Sequence, residues 1–272
     1  MLRCCLLLLG LTTAGAAADL GREIAERHAQ RPAVRELRSL YAEGRTLIRG
    51  EAIEFRMWAE RPNRLRVEST SPLRKVVQVY DGRHEPVIQH SDAEGGRPLR
   101  MSPAERKDFI ANADFDGPLM DHAAKGFTVD YAGSESIAGR RANKLLVMSP
   151  RDDVLFLWLD AETAEIVKRS VFRIVREQRV TVDTFFSEFR QVAGTHQPHR
   201  IETKIGDNTL YLMVISRMEG NSVQVTPDKF AVPDGWPMLP LEFRPEGAPS
   251  TSAGLRQPRA APQSPSFLPG MR

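Results

Sequence analysis

Ala52-Ile53-Glu54-Phe55-Arg56-Met57-Trp58-Ala59-Glu60-Arg61-Pro62-Asn63-Arg64-Leu65-Arg66-Val67-Glu68 is the stretch that decides the fold. Ile53, Phe55, Met57 and Ala59 alternate with Glu54, Arg56, Trp58 and Glu60, the period of a strand with one buried face. Arg61-Pro62-Asn63 interrupts the alternation with a turn, since Pro presets one backbone angle and Asn tolerates the next position. Leu65 and Val67 resume it over 64–69. Two period-two segments around a tight turn read as an antiparallel hairpin.

The pattern continues outward. A third strand is read at 75–80, with Val77 and Val79 facing inward, and Asp81-Gly82 turns it into a fourth at 85–89. After Gly126, strands are read at 127–131, 142–148, 154–159, 166–175, 179–188, 199–205 and 210–218. Turn signals such as Gly139-Arg140, Gly194 and Gly206-Asp207-Asn208 separate them. Many short strands joined by tight turns predict a mainly β (α+β) fold, an antiparallel sheet that is strongly curved or partly closed. Two segments read as helical. In 19–41, Leu20, Ile24, His28, Val34, Leu37 and Leu40 recur at helical spacing, with Pro32 as a kink. In 101–125, Ser102, Pro103 and Glu105 make a capping signature, Phe109 and Ile110 are apolar anchors, and Gly117-Pro118 breaks the segment before a second short helix at 119–124. A cavity between a curved sheet and a helical cover is a place to bind an apolar ligand.

The two ends separate from this body. Residues 1–18 place Arg3 before an apolar run and end in Ala16-Ala17-Ala18, the pattern of a secretory signal peptide cleaved before Asp19. The apolar run is shorter than the roughly 20 residues of a spanning helix. Both cysteines, Cys4 and Cys5, leave with it, so the mature chain has no thiol for a disulfide, a thiolate nucleophile or a metal. Residues 245–272 hold six prolines among Ser, Ala and Gly, which reads as a disordered tail. The chain of 272 residues has 38 Lys+Arg against 35 Asp+Glu, a formal charge of +3. Arg3 goes with the leader, and Arg256, Arg259 and Arg272 against Glu246 belong to the tail. The body at 19–244 is therefore neutral, which removes the electrostatic motive for nucleic-acid binding.

Signatures of catalysis are missing from the sequence. It has no Gly-x-Ser-x-Gly elbow, no phosphate loop and no Gly-x-Gly-x-x-Gly. His196-Gln197-Pro198-His199 is the one close histidine pair and lacks further ligands at metal spacing, so it reads as a turn and strand start. An enzyme would need a polar cluster inside the cavity, such as His84 with His90 and Asp81. The reading is a non-enzymatic protein with neither metal nor cofactor.

Four motifs in order carry a resemblance. They are Met57–Glu68 around Arg61-Pro62-Asn63, followed by Val79-Tyr80-Asp81-Gly82; then Trp158-Leu159-Asp160-Ala161-Glu162-Thr163; then Gln197-Pro198-His199-Arg200-Ile201; then Asp228-Lys229-Phe230-Ala231-Val232-Pro233. Together they resemble the periplasmic lipoprotein carriers (LolA-like) and the related outer-membrane lipoprotein-sorting proteins, over roughly residues 34–233. The carriers have a Trp soon after the Asp-Gly turn, where this chain has His84 and Glu85. The resemblance implies an unclosed barrel of about eleven strands, curved around an apolar cavity and covered by helices.

The implied function is a soluble periplasmic carrier for lipoprotein acyl chains or another lipid, with an inner-membrane donor and an outer-membrane acceptor as partners. Each acyl methylene exposed to water costs about 0.8 kcal/mol, which such a carrier must offset without stalling release. The lining candidates are Ile53, Phe55, Met57, Leu65, Val67, Val77 and Val79 from the strands, with Phe109, Ile110 and Leu119 from the cover. Arg61 corresponds to the family arginine that contacts the helical lid and favours closure. The alternative implied by relatives of the same fold is an envelope-stress sensor or scaffold that binds a protein partner.

Overall fold

In a computed structural model, residues 9–72, 74–91, 98–151, 153–175 and 177–232 are described. The first part of the leader, with Cys4 and Cys5, and the tail at 245–272 lie outside them. The chain runs α1 (Leu9–Ala29), α2 (Pro32–Glu36), β1 (Ser39–Ile48), β2 (Glu51–Glu60), β3 (Arg64–Thr70), β4 (Lys75–Tyr80), β5 (Val87–Ser91), β6 (Pro98–Arg100) and α3 (Pro103–Ala113). It continues with β7 (Thr128–Ile137), β8 (Arg140–Met148), β9 (Val154–Asp160), β10 (Ile166–Val175), β11 (Gln178–Val192), β12 (Thr195–Ile205) and β13 (Asn208–Gly220), and ends in a short turn of helix at Pro227–Phe230.

The strands form one 13-stranded sheet in the order β6-β5-β4-β3-β2-β1-β13-β12-β11-β10-β9-β8-β7. Every neighbour pair but one joins consecutive strands; the exception is β1 against β13, which splices the two halves together. β6 and β7 are the free edges, so the sheet curls without closing.

β1 and β6 are the strands the sequence reading lacks. Residues 39–41 fall inside the predicted helix at 19–41, yet β1 pairs along its whole length with β2, from Ser39 opposite Glu60 to Ile48 opposite Glu51. The helical spacing of Val34, Leu37 and Leu40 was misleading. Pro32 opens the short α2, and Leu37 and Leu40 are buried beside Phe115 and Val192, one from a linker and one from a strand.

One face of the sheet carries the main core. Phe55, Met57, Leu65 and Val67 are all buried there with Phe109 and Leu119 beneath the helices, and Ile110 packs on the cluster's margin. Val77 and Val79 correct the sequence reading, because they point to the opposite face. In the β3–β4 register Leu65 stands opposite Tyr80 and Val67 opposite Gln78, whereas Arg66 and Glu68 stand opposite Val79 and Val77. Val77, Val79 and Val87 make a separate cluster on that outer side. A strand apolar on both faces gives no alternation to tell them apart.

α1 lies across the edge strand β7. A side chain at Gly21 would put its Cβ 2.8 Å from Tyr131 N and Val129 O, so the close approach requires glycine. α3 begins as its capping box predicts. Ser102 accepts from Glu105 N, and Glu105 accepts from Ser102 N at 3.0 Å. The second short helix expected at 119–124 does not form. Lys125 Nζ binds the Asp114 carboxylate at 2.7 Å and Gly117 O at 2.8 Å, which folds 114–126 into successive turns.

Candidate functional site

The candidate site is the inner face of the sheet and the cover that closes it. β2 and β3 supply Phe55, Met57, Leu65 and Val67; Ile53 continues the same row, half-buried, opposite Thr46. α3 contributes Phe109, and the turns after it contribute Leu119. The structure thus gathers eight of the ten sequence-read lining residues on one face and puts Val77 and Val79 on the other.

Arg61 sits where three segments meet. Its Nη1 donates to Arg35 O at 2.9 Å and its Nη2 to Val34 O at 2.8 Å, at the end of α2. Nη2 also pairs with Asp116 Oδ1 at 2.7 Å, and the guanidinium lies 5.3 Å from the Phe115 ring centre. The main chain reinforces the junction: Phe115 N donates to Pro62 O and Arg61 N to Arg38 O, both at 3.0 Å. The β2–β3 turn therefore holds both α2 and the 114–120 segment. Arg61 is readable from the sequence as a turn arginine; Asp116, Phe115 and the Val34 carbonyl are not, because only the folded chain brings them there.

The Asp81-Gly82 turn docks on this junction. Asn63 Nδ2 donates to Gly82 O at 3.4 Å, and Gly82, at φ 85°, has Asn63 Oδ1 where a Cβ would stand. Asp81 accepts from His84 N at 2.8 Å and from Arg83 N at 2.9 Å. Burial pushes the Asp81 carboxyl up, but these bonds and the His84 ring outweigh it and hold the carboxyl below its ordinary range.

The hypothetical His84–His90–Asp81 cluster does not assemble. His84 pairs with Asp81 at one end of the β4–β5 hairpin, and His90 stands opposite Val76 at the other. Among the described residues no three His, Cys, Asp or Glu side chains converge as metal ligands do. His196 binds Glu165 at 2.7 Å, and His199 is buried with its ring against Gln197 O.

A groove of about 590 Å³ lies on the outer face and is lined by charged side chains, among them Glu43, Arg45, Glu54, Arg56 and Glu68. Beneath α1 and α2, beside His28, Arg31 and Glu165, a cavity of about 20 Å³ remains. That is room for one water.

No protein-family model matches the sequence, and no curated protein matches it. Solved structures do. A DUF1329 family protein from Desulfovibrio piger superposes with a TM-score of 0.57 at 13% identity, covering 79% of this chain and 97% of that one. A LolA superfamily protein from Nitrosomonas europaea gives 0.53 at 16% identity over 79% of this chain and 98% of its own. An outer-membrane lipoprotein-sorting protein domain from Vibrio parahaemolyticus gives 0.51 at 12% identity over 76% and 94%. No helix among the described residues is long and apolar enough to cross a membrane. One unclosed, curled antiparallel sheet with helices over its apolar face, shared with structures that cover 76–79% of this chain, is the LolA-like fold, and this chain has it.

Proposed function

We propose that the protein is a non-enzymatic carrier or binder of acyl chains, working in the periplasm after removal of residues 1–18. The observation that carries this reading is the pairing of a largely apolar inner face with a cover whose α2 and 114–120 segment Arg61 ties to the β2–β3 turn. Phe109 and Leu119 of the cover pack directly on the strand residues, so an acyl chain reaches that face when the cover lifts, and the Arg61 junction is where part of it would detach. The Nitrosomonas and Vibrio structures, called a LolA superfamily protein and a lipoprotein-sorting domain, support the same reading at the level of fold. Lipoprotein acyl chains passed from an inner-membrane donor to an outer-membrane acceptor are the cargo and partners in this proposal.

The test is organic-solvent extraction of the purified protein followed by mass spectrometry. Acyl-bearing compounds are expected in near-equal amount to protein. Extracts without any, together with no uptake of added neutral long-chain alcohol, would overturn the proposal.

A further inference from the structure

The strand register builds a second feature into the inner face. Leu145, Leu157, Arg169, Thr184, Thr203 and Tyr211 stand side by side across β8 to β13. The row starts apolar and then presents one guanidinium and three hydroxyls. Thr184 and Thr203 hydroxyls are 3.1 Å apart, and the buried Tyr211 hydroxyl is hydrogen-bonded to Thr203.

α3 lies over this row. Arg169 Nη1 reaches Asn112 Oδ1 at 3.5 Å, the outer limit of a hydrogen bond. Arg173, four residues on and on the same face, pairs with Asp108 of α3. Arg169 Nε is buried and meets no acceptor among the described residues. Asp108, the carboxylate that acts on Arg169, is thus already held by Arg173. Burial pushes the Arg169 guanidinium below its ordinary range, with Tyr211 opposing that and Arg173 adding to it. A structural side chain at this place would do better apolar, because an uncompensated buried cation is destabilising. The same cation becomes favourable once an anion sits against it.

We propose that Arg169 receives the oxyanion head of an acyl amphiphile, a carboxylate or a phosphate monoester, whose chain lies along the apolar inner face. The proposal rests on the reading of that face as an acyl-chain site and adds the chemistry of the head. The oxyanion takes the free Nε–H and displaces Asn112 from Nη1, and Tyr211 and Thr203 offer hydroxyls from the same row.

The test compares binding of hexadecanoate, hexadecyl phosphate and hexadecanol to the full mature chain and to Arg169→Gln. The wild type should prefer at least one of the anions over the alcohol by about tenfold, the size of one charge-assisted hydrogen bond. Arg169→Gln should remove that preference, weakening anion binding about tenfold and hexadecanol binding far less. A preference for hexadecanoate alone indicates fatty acids as the source, and one for hexadecyl phosphate alone indicates phospholipid heads. Hexadecanol bound as well as either anion, or a preference that survives Arg169→Gln, overturns the proposal while sparing the acyl-chain reading. Failure to bind any of the three overturns both. If Arg169→Gln does not fold, Tyr211→Phe should narrow the preference about threefold, and an unchanged preference counts against the proposal.

Discussion

At Arg61 a single guanidinium reaches two carbonyls at the end of α2, the Asp116 carboxylate and the Phe115 ring. Arg61→Gln keeps a polar side chain but loses the fork, so these partners separate. The expected loss is about 2 kcal/mol of stability, with faster amide exchange confined to 33–36 and 114–120. Glu68 shows the same logic for a titrating group. Burial raises its carboxyl, but hydrogen bonds from Lys75 and Arg66 outweigh this and hold it below 4.5. A depressed carboxyl stabilises the fold fully above its unfolded value, and that contribution is lost as pH falls below about 4.5 through the folded value. Melting curves of wild type and Glu68→Gln should therefore differ near neutral pH and converge in acid. At this scale the sequence is legible in part. Arg61, Asn63 and Asp81-Gly82 announce turns, yet nothing in their spacing says that the two turns dock on each other through Asn63 and Gly82.

Among the elements, α1 meets β7 so closely at Gly21 that helix and strand backbones touch. A Gly→Ala change inside a helix is normally stabilising by about 0.5–1 kcal/mol. Here the added methyl meets Tyr131 N and Val129 O, so Gly21→Ala should lower the melting temperature of the mature chain. Phe109, the α3 side chain buried against the sheet, tests the cover in the same way, and Phe109→Ala should cost about 3 kcal/mol in denaturant unfolding. The capping box of α3 was legible because it is local to Ser102 and Glu105. The face of β4 was not, since Val76, Val77 and Val79 make both sides apolar and only pairing with β3 decides which is inside. β1 was hidden for a related reason: its leading residues continue a helical spacing, and its strand character comes from pairing with β2 and β13 on either side.

For the whole molecule, strand-rich content and antiparallel order could be read from period-two segments and tight turns. The join of β1 to β13, which makes one curled sheet of what could have been two, depends on contacts between distant parts of the chain. That join gives the molecule two unlike faces, an outer one with a charged groove and an inner one with an apolar core beneath helices. The central claim is that the inner face takes an acyl chain. The most direct measurement is photo-cross-linking of the mature chain with a long acyl chain bearing a terminal diazirine, mapped by peptide mass spectrometry. The account predicts adducts on the strands and cover that carry Phe55, Met57, Leu65, Val67, Phe109 and Leu119, increased by Arg61→Gln. Adducts confined to the outer face around Val77, Val79 and Val87, or none at all, would contradict it.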